Sequence, residues 1–225
     1  MNAVLVGYKV KPEHVERNRE LAEGFLRELS AAQLANRYAV FTLADGVSFV
    51  HLHLYADEAE GKQLTQLPSF RTFEKDLAER CEELPAVSKL EPIGSYGWFD
   101  EQRHEPADLS RRNDWRPGLK AVIVRYKVKS EHAERNRELV HAVYSELELT
   151  QLADFDYATF ALDDGVSFVH LAAHGHETNP LANLPAFRAF QEGIGERCAE
   201  QPAVTELDTI GAYGSTPPHD TATGR

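Results

Sequence analysis

The side chains best suited to chemistry lie on one β-rich run. In SFVHLHLY (Ser48–Tyr55) the period-two alternation of a strand puts Phe49, His51, His53 and Tyr55 on one face. Ser48, Val50, Leu52 and Leu54 fall on the other. A later run, SFVHLAAH (Ser167–His174), keeps Phe168 and His170, replaces His53 by Ala172, and has His174 where Tyr55 stood. An imidazole titrates near working pH, so His51 or His170 could act as general base on an acidic C–H or a phenol. Either could also ligate a metal or haem iron, or be a buried histidine bonded to a backbone group or a tyrosine. Asn18 and Asn136 sit on the apolar stripe of a helix, each four residues after a histidine, His14 or His132. An amide on an inward face needs partners. It could hold a substrate carbonyl or an enolate-like oxyanion, or simply tie helix to strand.

Other signals are less specific. Glu13/Arg17 and Glu131/Arg135 are i,i+4 pairs of a solvated helix face. Arg71/Arg188 and Arg80/Arg197 could guide an anionic ligand or form salt bridges between elements. Phe70, Phe73, Phe187 and Phe190 recur at helical spacing, as pocket wall or as core. Cys81 and Cys198 lie at corresponding places that a two-fold would hold far apart, so no disulfide is expected between them.

The elements that must position these residues occur twice. AVLVGYKVKPEHVERNREL (Ala3–Leu21) returns as AVIVRYKVKSEHAERNREL (Ala121–Leu139), and DGVSFVHL (Asp45–Leu52) returns unchanged at Asp164–Leu171. LPSFRTFEKDLAERC (Leu67–Cys81) returns as LPAFRAFQEGIGERC (Leu184–Cys198), and PAVSKLEPIGSYG as PAVTELDTIGAYG. A period near 118 residues is a duplicated domain, not a solenoid. The expected division is repeat 1 over 1–99, a polar Pro-punctuated linker over 100–118, repeat 2 over 119–214 and a disordered tail over 215–225.

Within each copy Val4, Val6, Tyr8 and Val10 alternate as in a half-buried strand, and Pro12 suits the first turn of a helix striped by Val15, Asn18, Ala22, Phe25 and Leu29. Two β-rich runs flank the Asp45-Gly46 turn. A second helix opens at Leu67-Pro68 with the stripe Phe70, Phe73, Leu77, Cys81 and Leu84, and a last strand runs from about Ala86 to Tyr96. This β-α-β-β-α-β order is ferredoxin-like, and its sheet leaves one face bare. The expected fold is therefore α+β: two βαββαβ repeats packed sheet to sheet as an intramolecular pseudo-dimeric α/β barrel.

The chain has 225 residues, 42% hydrophobic and 27% charged, with 24 Lys+Arg against 36 Asp+Glu and a net charge of −12. That balance opposes binding to nucleic acid or anionic lipid. No apolar run is long enough for a membrane helix, the N-terminus is not built like a signal peptide, and two cysteines are too few for a disulfide framework. The expected address is the cytoplasm, and the expected partner a small molecule, with the chain a monomer (a pseudo-dimer) or a homodimer.

With YKVKPEH at the first strand–helix junction, the DG hairpin before FVHL and the LPxFRxF helix, both repeats resemble the antibiotic-biosynthesis-monooxygenase-like branch of the dimeric α/β-barrel superfamily. The resemblance implies ligand clefts between sheet and helices, and activities that include cofactor-free oxygenation of aromatic polyketides, haem degradation and small isomerisations. The positions that haem-degrading members fill with Asn, Trp and His hold Val6, Tyr55 and Glu74 in repeat 1 and Val124, His174 and Gln191 in repeat 2, and none matches. The reading that follows is an oxygenase without an organic cofactor, acting on an aromatic or enolisable substrate; no GxGxxG or P-loop appears. His51 or His170 would move the proton, with Tyr8, Asn18, His53, Tyr55, Tyr126, Asn136 and His174 lining the clefts. A haem or divalent-metal protein and a non-catalytic ligand-binding protein are the alternatives. The copies also diverge at Gly7/Arg125, so two different clefts, or one live and one vestigial, both remain open.

Overall fold

The structure is a computed structural model that describes residues 2–34, 36–97 and 120–213; the linker expected at 100–118 and the tail expected at 215–225 lie outside the described residues. In the first half, β1 (Asn2–Val10) leads through a 3-10 turn at Pro12–His14 into α1 (Val15–Ala32). The hairpin β2 (Arg37–Leu43) and β3 (Ser48–Tyr55) follows, then α2 (Glu58–Gln66), α3 (Pro68–Glu74), α4 (Leu77–Arg80) and the long β4 (Cys81–Tyr96). The second half repeats this as β5 (Lys120–Val128), α5 (Ala133–Thr150), β6 (Phe155–Leu162), β7 (Ser167–His174), α6 (Pro185–Gln191), α7 (Ile194–Arg197) and β8 (Cys198–Tyr213).

The hairpin turn is set by Gly46 at φ 69° and by Asp45, whose carboxylate accepts from the Val47 and Ser48 amides. Each half forms an antiparallel sheet, β4-β1-β3-β2 and β8-β5-β7-β6. The pairs β2·β8 and β4·β6 join the two into a closed eight-stranded barrel. Two 16-residue strands make this possible, because the first part of β4 pairs with β1 and its last part with β6. The change of partner falls at Leu90, which pairs with both Ala3 and Leu162, and a bulge between Pro92 and Gly94 follows within the β6 pairing.

Closure changes how β1 is buried. The alternation of Val4, Val6, Tyr8 and Val10 suggests a half-buried strand, yet Ala3 and Leu5 on the opposite face are as buried as Tyr8 and Val10. The inner face of the barrel is a core of its own, with Leu5, Phe41, Val50, Leu52, Ile123, Phe160 and Leu171 packed across it. Outside it, α1 and α3 cover one half and α5 and α6 the other. Each long helix also lies over the last strand of the opposite half, α5 on β4 and α1 on β8.

The second helix is shorter than its apolar stripe predicts. It stops at Glu74; Asp76, at φ 61°, takes the left-handed conformation, as Gly193 does at φ 66° in the second half. Cys81 belongs to β4, paired with Val10, and Leu84 is an exposed strand residue. The strand thus begins at Cys81, ahead of the expected Ala86. A helix not anticipated, α2, starts on an N-cap: Asp57 accepts from the Glu60 amide at 2.9 Å, and Glu60 in turn accepts from the Ala56 amide at 2.9 Å. Among the described residues no helix is long and apolar enough to cross a membrane.

Candidate functional site

Helix α1 and strand β3 face one another across the sheet–helix layer, and β1 lies beside β3. Their inward polar residues meet. Asn18 Nδ2 donates to the Tyr8 hydroxyl at 3.0 Å, and that hydroxyl lies 2.8 Å from His51 Nε2. Across the same ring, the Tyr38 hydroxyl lies 2.9 Å from His51 Nδ1. In the second half Asn136, Tyr126, His170 and Tyr157 form the same chain, with contacts of 2.9, 2.9 and 2.5 Å. One ring nitrogen of a neutral imidazole donates while the other accepts, so in each relay one tyrosine donates to the ring and the other accepts from it.

The relays are dry. Asn18 and Asn136 have no exposed surface, and His51 is 2% exposed. Phe73 lies over the His51 ring at 5.3 Å and Phe190 over His170 at 5.6 Å, while Tyr8 and Tyr126 stack on Phe49 and Phe168. Burial away from water disfavours charge, so it pushes both histidines down to about 3 and raises all four relay tyrosines, partly opposed at Tyr8 and Tyr126 by the asparagine bonds. All six groups are neutral near pH 7. One valence stays open in each relay: the Oδ1 atoms of Asn18 and Asn136 are buried without a partner. Turning the amide over merely exchanges which end is orphaned, because Tyr8 or Tyr126 is its one partner in either pose.

The two relays are not identical. Val40 in repeat 1 corresponds to Thr159, whose hydroxyl lies 3.4 Å from His170 Nδ1 and accepts from Tyr144 at 2.9 Å, so the second relay has a branch that the first lacks.

The remaining expected site residues lie outside the hydrogen-bond chain, although His53 packs on Tyr38 with ring centres 5.4 Å apart. His53 Nε2 bonds to Asn36 Oδ1 at 2.5 Å, and burial lowers its pKa to about 4. Tyr55 packs against His53 and covers Gly61 of α2. His174 Nδ1 bonds to the His176 carbonyl. Tyr38 and Tyr157, at corresponding places on β2 and β6, complete the relays and were not singled out in the sequence. Their place opposite the histidines in a hairpin, Tyr38 across from His53 and Val40 across from His51, was the available signal.

Among the described residues the paired arginines are held by backbone carbonyls and form no salt bridges between elements. Arg80 donates to the carbonyls of Lys75 and Phe73 at 2.8 and 2.6 Å, and Arg197 does the same to Glu192 and Phe190. Arg71 and Arg188 reach carbonyls at 3.4 Å. Haem or metal ligation does not fit His51 or His170, since both ring nitrogens of each are already held by tyrosines. Among the described residues no group of three or more His, Cys, Asp or Glu is gathered for a metal.

No protein-family model matches the chain, and neither does any curated protein. Solved structures do. A candidate monooxygenase from Lactobacillus acidophilus superposes with a TM-score of 0.77 at 8% identity, over 95% of each chain. One from Fusobacterium nucleatum gives 0.77 at 10%, over 96% of this chain and 95% of that one. The chain is a duplicated dimeric α/β barrel. An anthrone oxidase-like protein shares the duplicated barrel's fold at a TM-score of 0.56 and 12% identity, over 96% of this chain and 94% of that one. At these identities the likeness is one of fold.

Proposed function

We propose that the duplicated barrel is a cofactor-independent oxygenase acting on an aromatic or enolisable small molecule in its sheet–helix layers. The reading is carried by the Asn–Tyr–His–Tyr chain, built twice and left with one buried amide valence open, an acceptor for a substrate hydroxyl or, with the amide turned over, an N–H donor for a substrate oxygen. In this reading Asn18 or Asn136 takes the substrate oxygen and Tyr8 or Tyr126 orients it. His51 or His170 accepts the proton from the activated methylene; a carbanion formed beside the ring favours the imidazolium that burial otherwise suppresses. The carbanion supplies the electrons to O₂, and CH₂ + O₂ gives C=O + H₂O, with no external reductant. Candidate monooxygenases and an anthrone oxidase-like protein on the same fold support this class of reaction.

Entry requires Phe73 or Phe190 to swing off its histidine, so α3 and α6 are the gates of this scheme. The protein would work in the cytoplasm, with a small molecule as partner, and as a monomer, since each half already supplies the other's sheet. A second reading, non-catalytic ligand binding with the relays as polar core, is favoured by the aromatic packing over both rings.

Oxygen uptake with a panel of anthrone-type and 1,3-dicarbonyl compounds separates the two. His51→Ala, His170→Ala and the double variant should each be compared with the parent after their folding is checked by circular dichroism. Loss in one single variant identifies the working half. Full turnover in all three would remove the histidines from the chemistry, and a parent inert to the whole panel would favour the binding reading.

A further inference from the structure

The duplicated barrel has an open space on its inner side, which Tyr126 and Phe168 of the second half also border. A cleft of about 400 Å³ enters one end of the barrel itself, lined by Leu5, Gly7 and Ser88 from the first half and by Arg125, Val169 and Ala203 from the second, among others. In the closed ring β1 and β5 stand four strands apart in either direction, on opposite walls. Gly7 and Arg125 hold the same register in their halves: Gly7 pairs with Val50 and Ala86, and Arg125 with Val169 and Ala203. Alternation along β5 puts Arg125 on the face of Ala121 and Ile123, both part of the barrel core. Arg125 therefore sits on the inner face at the mouth, on the wall opposite Gly7, which has no side chain. A Cβ on Gly7 would meet nothing within 4 Å.

Among the described residues no carboxylate pairs with Arg125. Of the other charged groups at this end, Lys127 pairs with Asp164 at 3.4 Å and Lys9 with Glu82 at 3.3 Å. Glu200 lines the cleft without closing an ion pair to Arg125. The arginine is exposed at the rim, yet the barrel wall desolvates it enough to lower its pKa. An unpaired planar cation above an apolar floor suits one ligand chemistry: a carboxylate, which matches the guanidinium fork, on an apolar body. The volume lies toward the small end of ordinary ligand pockets.

We propose that the barrel mouth, on the inner face of the wall whose outer face carries the relays, is a second binding site for a small aryl or short-chain monocarboxylate. Arg125 takes the carboxylate, and the apolar body lies over Gly7 between Leu5, Leu162 and Val169. This site exists once per chain, because only one repeat carries the arginine.

Fluorine NMR titration with 4-fluorobenzoate tests it on the full chain. Saturable binding is expected. It should weaken by about tenfold or more in Arg125→Ala, in line with loss of a charge-assisted contact, and vanish in Gly7→Leu, which fills the floor. The neutral 4-fluorobenzamide should bind much more weakly, and the His51→Ala/His170→Ala double variant should bind as the parent does. No saturable binding to the parent, binding indifferent to Arg125→Ala, or equal binding of the amide would overturn the proposal. So would loss of binding in the histidine double variant, by placing the ligand at the relays. Thermal melts of Arg125→Ala and Gly7→Leu confirm that a lost signal is not lost folding.

Discussion

Gly94 on β4 lies under the ring of Tyr144 on α5, close enough that a Cβ at that position would run into the ring. The symmetric contact, Gly211 on β8 under Leu26 on α1, would place the Cβ 2.8 Å from a leucine methyl, the movable end of a flexible chain. Gly94→Ala should therefore destabilise the protein by about 1–3 kcal/mol, the usual range for overpacking, and Gly211→Ala by less. Adding Tyr144→Leu, which copies the first repeat, should recover part of the loss at Gly94. Urea unfolding of the three variants measures this.

The buried histidines make stability depend on acid. His51 and His170 are held down to about 3 and His53 to about 4, whereas in the unfolded chain each binds a proton near pH 6.5. The unfolded state therefore binds more protons between these limits, and stability falls as pH drops below about 6.5. Each histidine contributes a slope of about 1.4 kcal/mol per pH unit in that window. His51→Gln should make the fall shallower by about one proton, read from unfolding free energies between pH 7 and pH 4. An unchanged slope would mean that His51 is not buried as described.

Arg80 fastens the end of α3. Its two bonds to the Phe73 and Lys75 carbonyls, with its guanidinium 5.7 Å from the Phe73 ring centre, hold the residue that covers His51. Arg80→Met keeps the apolar stem but leaves both carbonyls without this donor, so a loss of about 2–3 kcal/mol is expected. The same variant should speed hydrogen exchange across Pro68–Glu74 while leaving α6 unaffected. Exchange unchanged in α3 would show that Arg80 does not hold the gate.

Tyr8 has two polar partners in the first relay, Asn18 and His51. Tyr8→Phe strands the Asn18 amide and one ring nitrogen, so it should cost about 2–4 kcal/mol by leaving buried groups unpaired. Tyr8→Phe combined with Asn18→Leu should cost less than the sum of the two single changes, with a coupling of about 0.5–3 kcal/mol. Strict additivity would mean that the two do not form one network.

Both repeats, the element order and the barrel were legible because each rests on a local pattern that occurs twice. The histidine face, Tyr8 and Asn18 were legible for the same reason: period two on a strand and period 3.6 on a helix put them on faces turned toward each other. Tyr38 was not, since its partner is fixed by hairpin register and not by its own spacing. The end of α3 was hidden because Phe70, Phe73, Leu77 and Cys81 continue a helical stripe through a break that Asp76 makes with its backbone. Arg125 showed in the sequence only as an asymmetry with Gly7. Its meaning came from ring closure, which sets the two positions on opposite walls.

Ring closure also sets the order in which the molecule can assemble. Tyr38 on β2 pairs with Tyr213 on β8, so one seam awaits a strand from the far half of the chain. Until then β2 presents an open edge with no strand beside it, and β4 waits in the same way for β6. Contacts this distant along the chain slow folding, and unpaired edges invite pairing with another nascent copy. Chains caught at this stage would exchange halves, β2 of one copy taking β8 of the next. Such interlocked dimers would use the same hydrogen bonds as the monomer.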